Sequence, residues 1–135
     1  MNEIEKTFAE EIKTLCENLY VMSETDAPLK VVEWKKVIFV SDEIVAAKLK
    51  QSAENPLETM TFDDFFQNKI TPQTWHGEDE KATLERFVAL KSYLAAKLSD
   101  IVVYKTTGDA RREIAIVGKN ADGFYSGLKT YVVET

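Results

Sequence analysis

The chain of 135 residues has few of the residue types that build cross-linked or reactive sites. It contains one cysteine, one histidine, three prolines and five glycines. A single cysteine excludes a disulfide within the chain, and the spacing of a Cys/His zinc site is missing. The glycines do not form the GxGxxG pattern that cradles a phosphate before a helix. The sequence therefore supports neither a disulfide scaffold nor a zinc site nor a nucleotide-binding loop, and we expect no cofactor.

Positive charge is also scarce. The chain has 17 lysines and arginines against 23 aspartates and glutamates, which gives a net charge of -6 and an isoelectric point of about 4.9. Phosphate contacts need a basic face, so this balance argues against nucleic acid as a direct ligand. An acidic surface suits a basic protein partner, although moderate negative charge also serves solubility alone.

Long apolar runs are missing as well. No stretch is long enough to span a membrane, and the acidic N-terminus MNEIEKTFAEE lacks the basic and apolar regions of a signal peptide. We therefore expect a cytoplasmic protein without a membrane partner. The length and the 44% hydrophobic content predict one domain over residues 1–135 with a sizeable core.

Apolar residues at spacings of three and four predict two main helices, over Asn2–Leu19 and Glu78–Leu98. Ser41 and Thr61 are candidate N-caps of two shorter helices. The apolar face predicted for the longest helix consists of Leu84, Phe87, Val88, Leu94, Ala95 and Leu98.

Four runs rich in β-branched and aromatic residues predict strands, over Leu29–Trp34, Ile101–Thr107, Glu113–Val117 and Phe124–Thr135. Short turns join the last three, which is typical of an antiparallel meander. Helices packed on one antiparallel or mixed sheet give an α/β fold. Helices on both faces would make an α/β/α sandwich, and the residues alone leave one covered face or two open.

Several residues could carry chemistry, and each has a plainer interpretation. Cys16 lies near an apolar stripe, which favours a buried inert thiol over a nucleophile. Asp63 and Asp64 suit the first turn of a helix without any catalytic role. His76 has no evident triad partner. Because no nucleophile and base are paired, the residues do not support an enzyme.

Two predicted loops are candidate binding elements. The loop Val21–Pro28 should expose Glu24, which could bind a partner or only face water. The loop Ile70–Gly77 holds Trp75, whose ring is either tucked into the core or displayed as a binding anchor. The residue pattern alone favours the tucked position.

The last predicted strand runs to Thr135. A paired strand would fix this residue, which offers a hydroxyl and an α-carboxylate beside Glu134. Such oxygen groups suit Mg²⁺, Ca²⁺ or a cationic partner. The plainer alternative is an ordinary terminal strand.

Two segments carry a sequence pattern that a known family shares. The first is YVMSETDAPLKVVEW, from Tyr20 to Trp34. The second starts at TPQTW, Thr71–Trp75, and continues through VVYKTTG and IAIVGKNADGFYSG to the end KTYVVET. Together they resemble the nuclease A inhibitor family, over nearly the whole chain and least from Val37 to Lys69.

The resemblance implies an α/β/α sandwich like that of the plant PR-1 proteins. It implies a non-enzymatic protein, monomeric when free, that occludes the active site of a sugar-non-specific ββα-metal endonuclease acting on DNA and RNA. The alternative is an interaction module of the same fold with a different basic protein partner.

The resemblance also assigns roles to residues. Glu24 would pair with an arginine of the nuclease, and Trp75 would supply an aromatic contact. Thr135 would reach the catalytic Mg²⁺ of the nuclease, so that the inhibitor has no metal site of its own. Thr74 departs from the family pattern, because the nuclease A inhibitor, on which this resemblance is based, has an acidic residue before the tryptophan.

Overall fold

A computed structural model of the protein describes residues 8–34, 37–38, 41–50 and 57–134, without the side chain of residue 42. In these segments the helices are α1 (Phe8–Cys16), α2 (Asp42–Leu49), α3 (Phe62–Ile70) and α4 (Glu78–Lys97). The strands are β1 (Tyr20–Met22), β2 (Asp26–Pro28), β3 (Lys30–Trp34), β4 (Glu58–Met60), β5 (Ser99–Lys105), β6 (Arg111–Lys119) and β7 (Tyr125–Val133). None of these helices is both long and apolar enough to cross a membrane.

The helices begin where the capping residues predict. The side chain of Ser41 accepts a hydrogen bond from the Ile44 amide at 3.3 Å, and that of Thr61 accepts one from the Asp64 amide at 3.0 Å. Each bond satisfies an amide that has no partner within its own helix. Both predicted N-caps are confirmed.

The main sheet has five strands in the order β3-β7-β6-β5-β4, and every pairing in it is antiparallel. Its longest ladder joins β6 to β7, from Arg111 opposite Val133 to Lys119 opposite Tyr125. Gly127 allows this ladder to close, because a β-carbon at its position would lie 1.9 Å from the Ile116 carbonyl oxygen. The C-terminal strand β7 is therefore an interior strand.

Helices cover both faces of this sheet. On one face, α1, α3 and α4 pack on the strands around a core that includes Ile12, Phe66, Leu94 and Ile116. On the other, the α2 residues Val45 and Leu49 join a smaller core with Trp34, Tyr104, Ala115, Val117 and Tyr125. The sheet is thus the central layer of three, which confirms the α/β class with a sheet flanked by helices.

Two sequence expectations about helices were wrong in part. The first helix ends at Cys16 rather than Leu19, and Asn18 follows with a positive φ of 57°. In α4, Val88 and Ala95 are exposed, whereas Leu90, which was not assigned to the apolar face, is fully buried. Helical spacing predicts that a helix has an apolar face. Which of its side chains are most deeply buried depends on the elements that pack against it.

Three expectations about extended segments also need correction. The segment Val21–Pro28 is not a simple loop, because β1 and β2 pair in it as a hairpin. The apolar run Val37–Val40 could continue the strand before it, but Val37 and Ile38 lie outside any strand, and residues 39–40 lie outside the described part of the chain. The pair Asn55-Pro56 predicts a surface loop over Gln51–Glu58, but the strand β4 already begins at Glu58. Strands of three residues carry too little pattern to be found from the sequence alone.

Candidate functional site

Glu24 lies at the tip of the β1–β2 hairpin, where its side chain is exposed. Met22 and Asp26 are the last paired residues before the tip. The Ser23 amide donates a hydrogen bond to the Thr25 carbonyl at 3.0 Å, and the Ser23 hydroxyl donates to the same oxygen at 3.0 Å. The tip is therefore a closed turn with an acidic residue at its apex.

The hairpin tip is also bonded to the C-terminal strand, 110 residues away in sequence. The Val133 amide donates to the Ser23 hydroxyl at 3.0 Å, and the Glu24 amide donates to the Val133 carbonyl at 3.5 Å. Glu24 is thus held beside Val133, the last residue of β7, which precedes Thr135 by two positions. Thr135 itself lies outside the described residues.

Glu134, the last described residue, is engaged within the protein. Its amide donates to the Ala110 carbonyl at 2.8 Å, and its carboxylate pairs with the Lys105 ammonium. The hydrogen bond from Lys105 lowers the pKa of Glu134, and the charge of Arg112 acts in the same direction. Glu134 therefore anchors the end of β7, and this pairing competes with any use of its carboxylate as a ligand.

Trp75 is displayed on a tight turn. The His76 amide donates to the Gln73 carbonyl at 3.1 Å, and the Gln73 amide donates to Nδ1 of His76 at 3.3 Å. These two bonds close a four-residue turn with Thr74 and Trp75 at its centre, both exposed. The Trp75 side chain is 71% exposed and meets the His76 ring edge-on, with centroids 4.4 Å apart.

The expectation of a tucked tryptophan was therefore wrong. The turn from Gln73 to His76 leaves the Trp75 ring exposed, at the edge of a groove that residues of α4 also line. The single histidine has a structural role, since its ring accepts one of the two bonds that close the turn. No sequence pattern indicates this contact between the Gln73 amide and the His76 ring.

A groove of about 600 Å³ lies between the hairpin and the Trp75 turn. Three exposed apolar side chains line it, namely Tyr20 (45% exposed), Met22 (78%) and Trp75 (71%). Asp79 and Glu80 add negative charge to its wall. A cluster of exposed apolar groups with a charged rim is typical of a protein interaction site.

The groove is lined by β1, α3, the Trp75 turn and α4, which are far apart in sequence. Sequence reasoning found Glu24 and Trp75 but missed Tyr20 and Met22. The available signal was their alternation with buried Val21, which points both side chains away from the core. That signal spans only three residues.

Lys69 also lines the groove. Its ammonium lies 4.0 Å from the centroid of the Phe65 ring and donates to the Phe65 carbonyl at 2.9 Å. Burial lowers the pKa of Lys69 from 10.5 to about 8. The groove wall thus combines a partly buried amine with exposed aromatic surface and two carboxylates.

Reactive groups outside the groove do not form a competing site. Burial raises the pKa of Cys16 to about 12, so the thiol is not a nucleophile near neutral pH. In the described segments, no three histidine, cysteine, aspartate or glutamate side chains are close enough to hold a metal ion. The groove and the hairpin tip are therefore the candidate surface for a protein partner.

A comparison with family models matches residues 6–135 to a family described as NuiA, nuclease A inhibitor-like protein. The match includes both candidate elements and the C-terminal strand. No curated protein matches the chain.

Proposed function

The chain belongs to the nuclease A inhibitor-like family, and on this premise we propose that it inhibits a nuclease by binding over the active site. The proposed target is a sugar-non-specific ββα-metal endonuclease that cleaves DNA and RNA. The chain acts as a ligand of this enzyme and performs no chemistry of its own. An acidic protein, with a net charge of -6, is complementary to the basic channel in which such an enzyme holds nucleic acid.

The observation that carries the proposal is the exposed surface formed by Trp75, Tyr20 and Met22 next to the Glu24 tip. A tryptophan that is 71% exposed has no role in the core. Tryptophan and tyrosine are enriched among residues that dominate binding energy, whereas surrounding polar residues exclude water. The surface beside the hairpin tip contains both kinds of residue, since exposed Trp75 and Tyr20 lie next to the polar residues Asp79 and Glu80.

Glu24 is proposed to pair with an arginine of the nuclease. The Glu24 side chain is exposed at the tip, and the two bonds to Val133 hold the tip in place. A side chain on a fixed backbone loses less entropy on binding than one on a free loop. Glu24 can therefore contribute strongly to affinity.

Thr135 is proposed to approach the Mg²⁺ ion of the nuclease and to occupy the place of a substrate phosphate. Support comes from the family match, which extends to residue 135, and from the firm hold on β7 up to Glu134. Mg²⁺ prefers oxygen ligands and keeps positions open for substrate. An oxygen group from Thr135 would displace the water needed for hydrolysis.

A second candidate function is binding to a different basic protein through the same surface. Thr74 favours this alternative, because it sits exposed next to Trp75 where the family inhibitor of reference has an acid. One charge pair is then missing on the rim of the surface. Loss of a rim charge alters association rate and partner choice more than it alters the buried contacts.

We further propose one domain over residues 1–135, a cytoplasmic location, a monomeric free state and likeness of the three-layer fold to the PR-1 proteins. The single buried thiol fits a reducing compartment. An inhibitor in the same compartment as newly made nuclease would protect the producing cell.

An inhibition assay tests the proposed function. The purified chain is mixed with the ββα-metal endonuclease of its own genome, and plasmid cleavage is followed as the molar ratio rises. We expect cleavage to stop near equal amounts, with a metal-dependent nuclease of unrelated fold unaffected. Full activity at a tenfold excess of the chain would contradict the proposal and favour the second candidate.

A further inference from the structure

A cleft of about 320 Å³ lies on the α2 face of the sheet, away from the groove beside Trp75. Its described lining consists of residues of the strands β2, β3, β6 and β7, and no helix residue is among them. The register shows that Lys30, Lys129, Tyr131, Glu113 and Arg111 share this face, because directly opposed residues of antiparallel strands point the same way. The small helix α2 covers only the neighbouring part of the sheet.

The cleft is positive although the protein is acidic. Lys30, Lys129 and Arg111 line it, and Glu113 is the acidic residue among the described lining groups. Three positive charges against one negative charge leave an excess of two at this place. The net charge of the chain conceals this local excess, so composition alone does not reveal it.

Lys30 and Lys129 stand directly opposite each other on paired strands. Like charges in such a pair destabilise a sheet, and an unlike or neutral pair would be more stable. The Lys129 ammonium lies 3.7 Å from Glu113, while Lys30 has no acidic partner among the described residues. Unfavourable local pairs of this kind are expected at functional sites.

Arg111 is held in place for recognition. Its Nε lies 3.2 Å from the Glu113 carboxylate, and its guanidinium carbon lies 3.7 Å from the centre of the Tyr131 ring. A guanidinium fixed on an aromatic face keeps its remaining N–H groups free in a known orientation. Such groups match the oxygens of a phosphate.

We propose that this cleft binds a phosphate group, either free or as a monoester, with Lys30, Lys129 and Arg111 as its ligands. A phosphate monoester carries a charge of about -1.5 to -2 near pH 7, which balances the excess of two positive charges. The volume of about 320 Å³ is enough for one such group, and a larger substituent would extend beyond the cleft. The cleft adjoins the end of β7, since Arg111 is paired with Val133.

Two sources can supply this group, namely free phosphate and the terminal phosphate of a nucleotide. Amide NMR titrations at low ionic strength, with inorganic phosphate and with adenosine monophosphate, distinguish them. We expect saturable shifts at Lys30, Lys129 and Tyr131. Equal affinities would identify the phosphate group itself as the ligand, and tighter binding of the nucleotide at the same amides would identify a nucleotide end.

Charge variants with opposite expected signs make the test decisive. Lys30→Gln should weaken binding by about fivefold or more, while the matched variant Lys48→Gln, an exposed lysine on α2, should change it by less than about twofold. Glu113→Gln should tighten binding by about threefold, because it removes the carboxylate that competes for Arg111 and Lys129. A gain in affinity cannot come from misfolding.

The proposal is overturned if neither probe gives saturable shifts at these amides. It is also overturned if Lys48→Gln weakens binding as much as Lys30→Gln, since the effect would then be one of net charge. Weaker binding by a folded Glu113→Gln protein would equally contradict it.

Discussion

The hairpin that carries Glu24 and the turn that carries Trp75 both contribute side chains to one groove, yet they are held in different ways. The tip is fixed by hydrogen bonds to Val133, at the far end of the chain. The turn is closed only by Gln73 and His76 within four residues. The position of Glu24 thus depends on the whole sheet, whereas that of Trp75 depends on its own turn.

The comparison teaches that the two elements suit different contacts. A charge pair needs accurate distance and direction, and the long-range bonds provide this for Glu24. A large aromatic ring gains affinity mainly from buried area, and it tolerates more freedom in its position. The predictions that follow separate these two modes, from the largest expected effect to the smallest.

Glu24→Gln should have the largest effect on inhibition. Truncating one partner of a desolvated charge pair costs about 2 to 5 kcal/mol of binding free energy. Glu43→Gln, which removes an exposed acid from the first turn of α2, is the matched control and should change affinity by less than about 0.5 kcal/mol. Inhibition constants measured for both variants check this, and equal losses would show that only net charge matters.

Trp75→Ala should weaken inhibition by about 2 kcal/mol, as expected for an aromatic anchor. Because the ring is 71% exposed, the free energy of unfolding should change by less than about 0.5 kcal/mol. Urea unfolding and the inhibition assay together test both statements. Val88→Ala, at an exposed apolar position on α4, serves as the control and should leave inhibition unchanged. A stability loss near 3 kcal/mol would place Trp75 in the core.

A glycine added after Thr135 should weaken inhibition by about 1.4 kcal/mol or more, that is, about tenfold. It would move any terminal oxygen by roughly 3.4 Å, too far for a Mg²⁺ ligand that must lie within about 2.1 Å. The loss should shrink when binding is measured without Mg²⁺. Inhibition that is equally strong with the added glycine would remove Thr135 from the mechanism.

Ser23→Ala should release the hairpin tip from β7. The hydroxyl accepts from the Val133 amide and donates to the Thr25 carbonyl, so its loss should cost about 1 kcal/mol in stability and a similar amount in affinity. Hydrogen exchange at the Val133 amide should become faster. Thr14→Val, which removes a helix hydroxyl that bonds to Glu10, is the control. Unchanged exchange at Val133 would show that the bond does not hold the tip.

Lys69 should give the smallest effect, as a pH dependence of stability. Its pKa is about 8 in the folded protein and 10.5 when unfolded, so the unfolded chain binds more protons between these values. The stability of the wild type relative to Lys69→Met should therefore rise by on the order of 1 kcal/mol as the pH increases through this window. The titration of Cys16 contributes equally to the unfolding free energy of both proteins, so its contribution cancels in the difference. A flat or falling difference would contradict the lowered pKa.

Much of the fold could be predicted from the sequence because its signals are local. Ser41 and Thr61 cap helices through bonds three residues away, and the β5–β6–β7 meander follows from short turns between β-branched runs. The β1–β2 hairpin could not be predicted, since its three-residue strands pair only in the context of β7.

The candidate site also has a part that the sequence indicates and a part that only the packing of the fold creates. Glu24 and Trp75 stand in recognisable segments, so the resemblance points to them. The meeting of Trp75 with Tyr20 and Met22 at one groove depends on packing between β1, α3 and α4, which has no short sequence pattern. The exposure of Trp75 depends on a bond from Gln73 to the His76 ring, and a side-chain contact of this kind cannot be deduced from composition.

Hydrogen exchange of the chain with and without its genomic ββα-metal nuclease tests the central claim most directly, because it locates the contact surface without any substitution. We expect slower exchange in residues 20–28, 71–77 and 130–134, and no change in α2. Protection of α2 with the hairpin and the Trp75 turn unprotected, or no protection at any site with both proteins folded, would contradict the claim that these two elements together bind the nuclease.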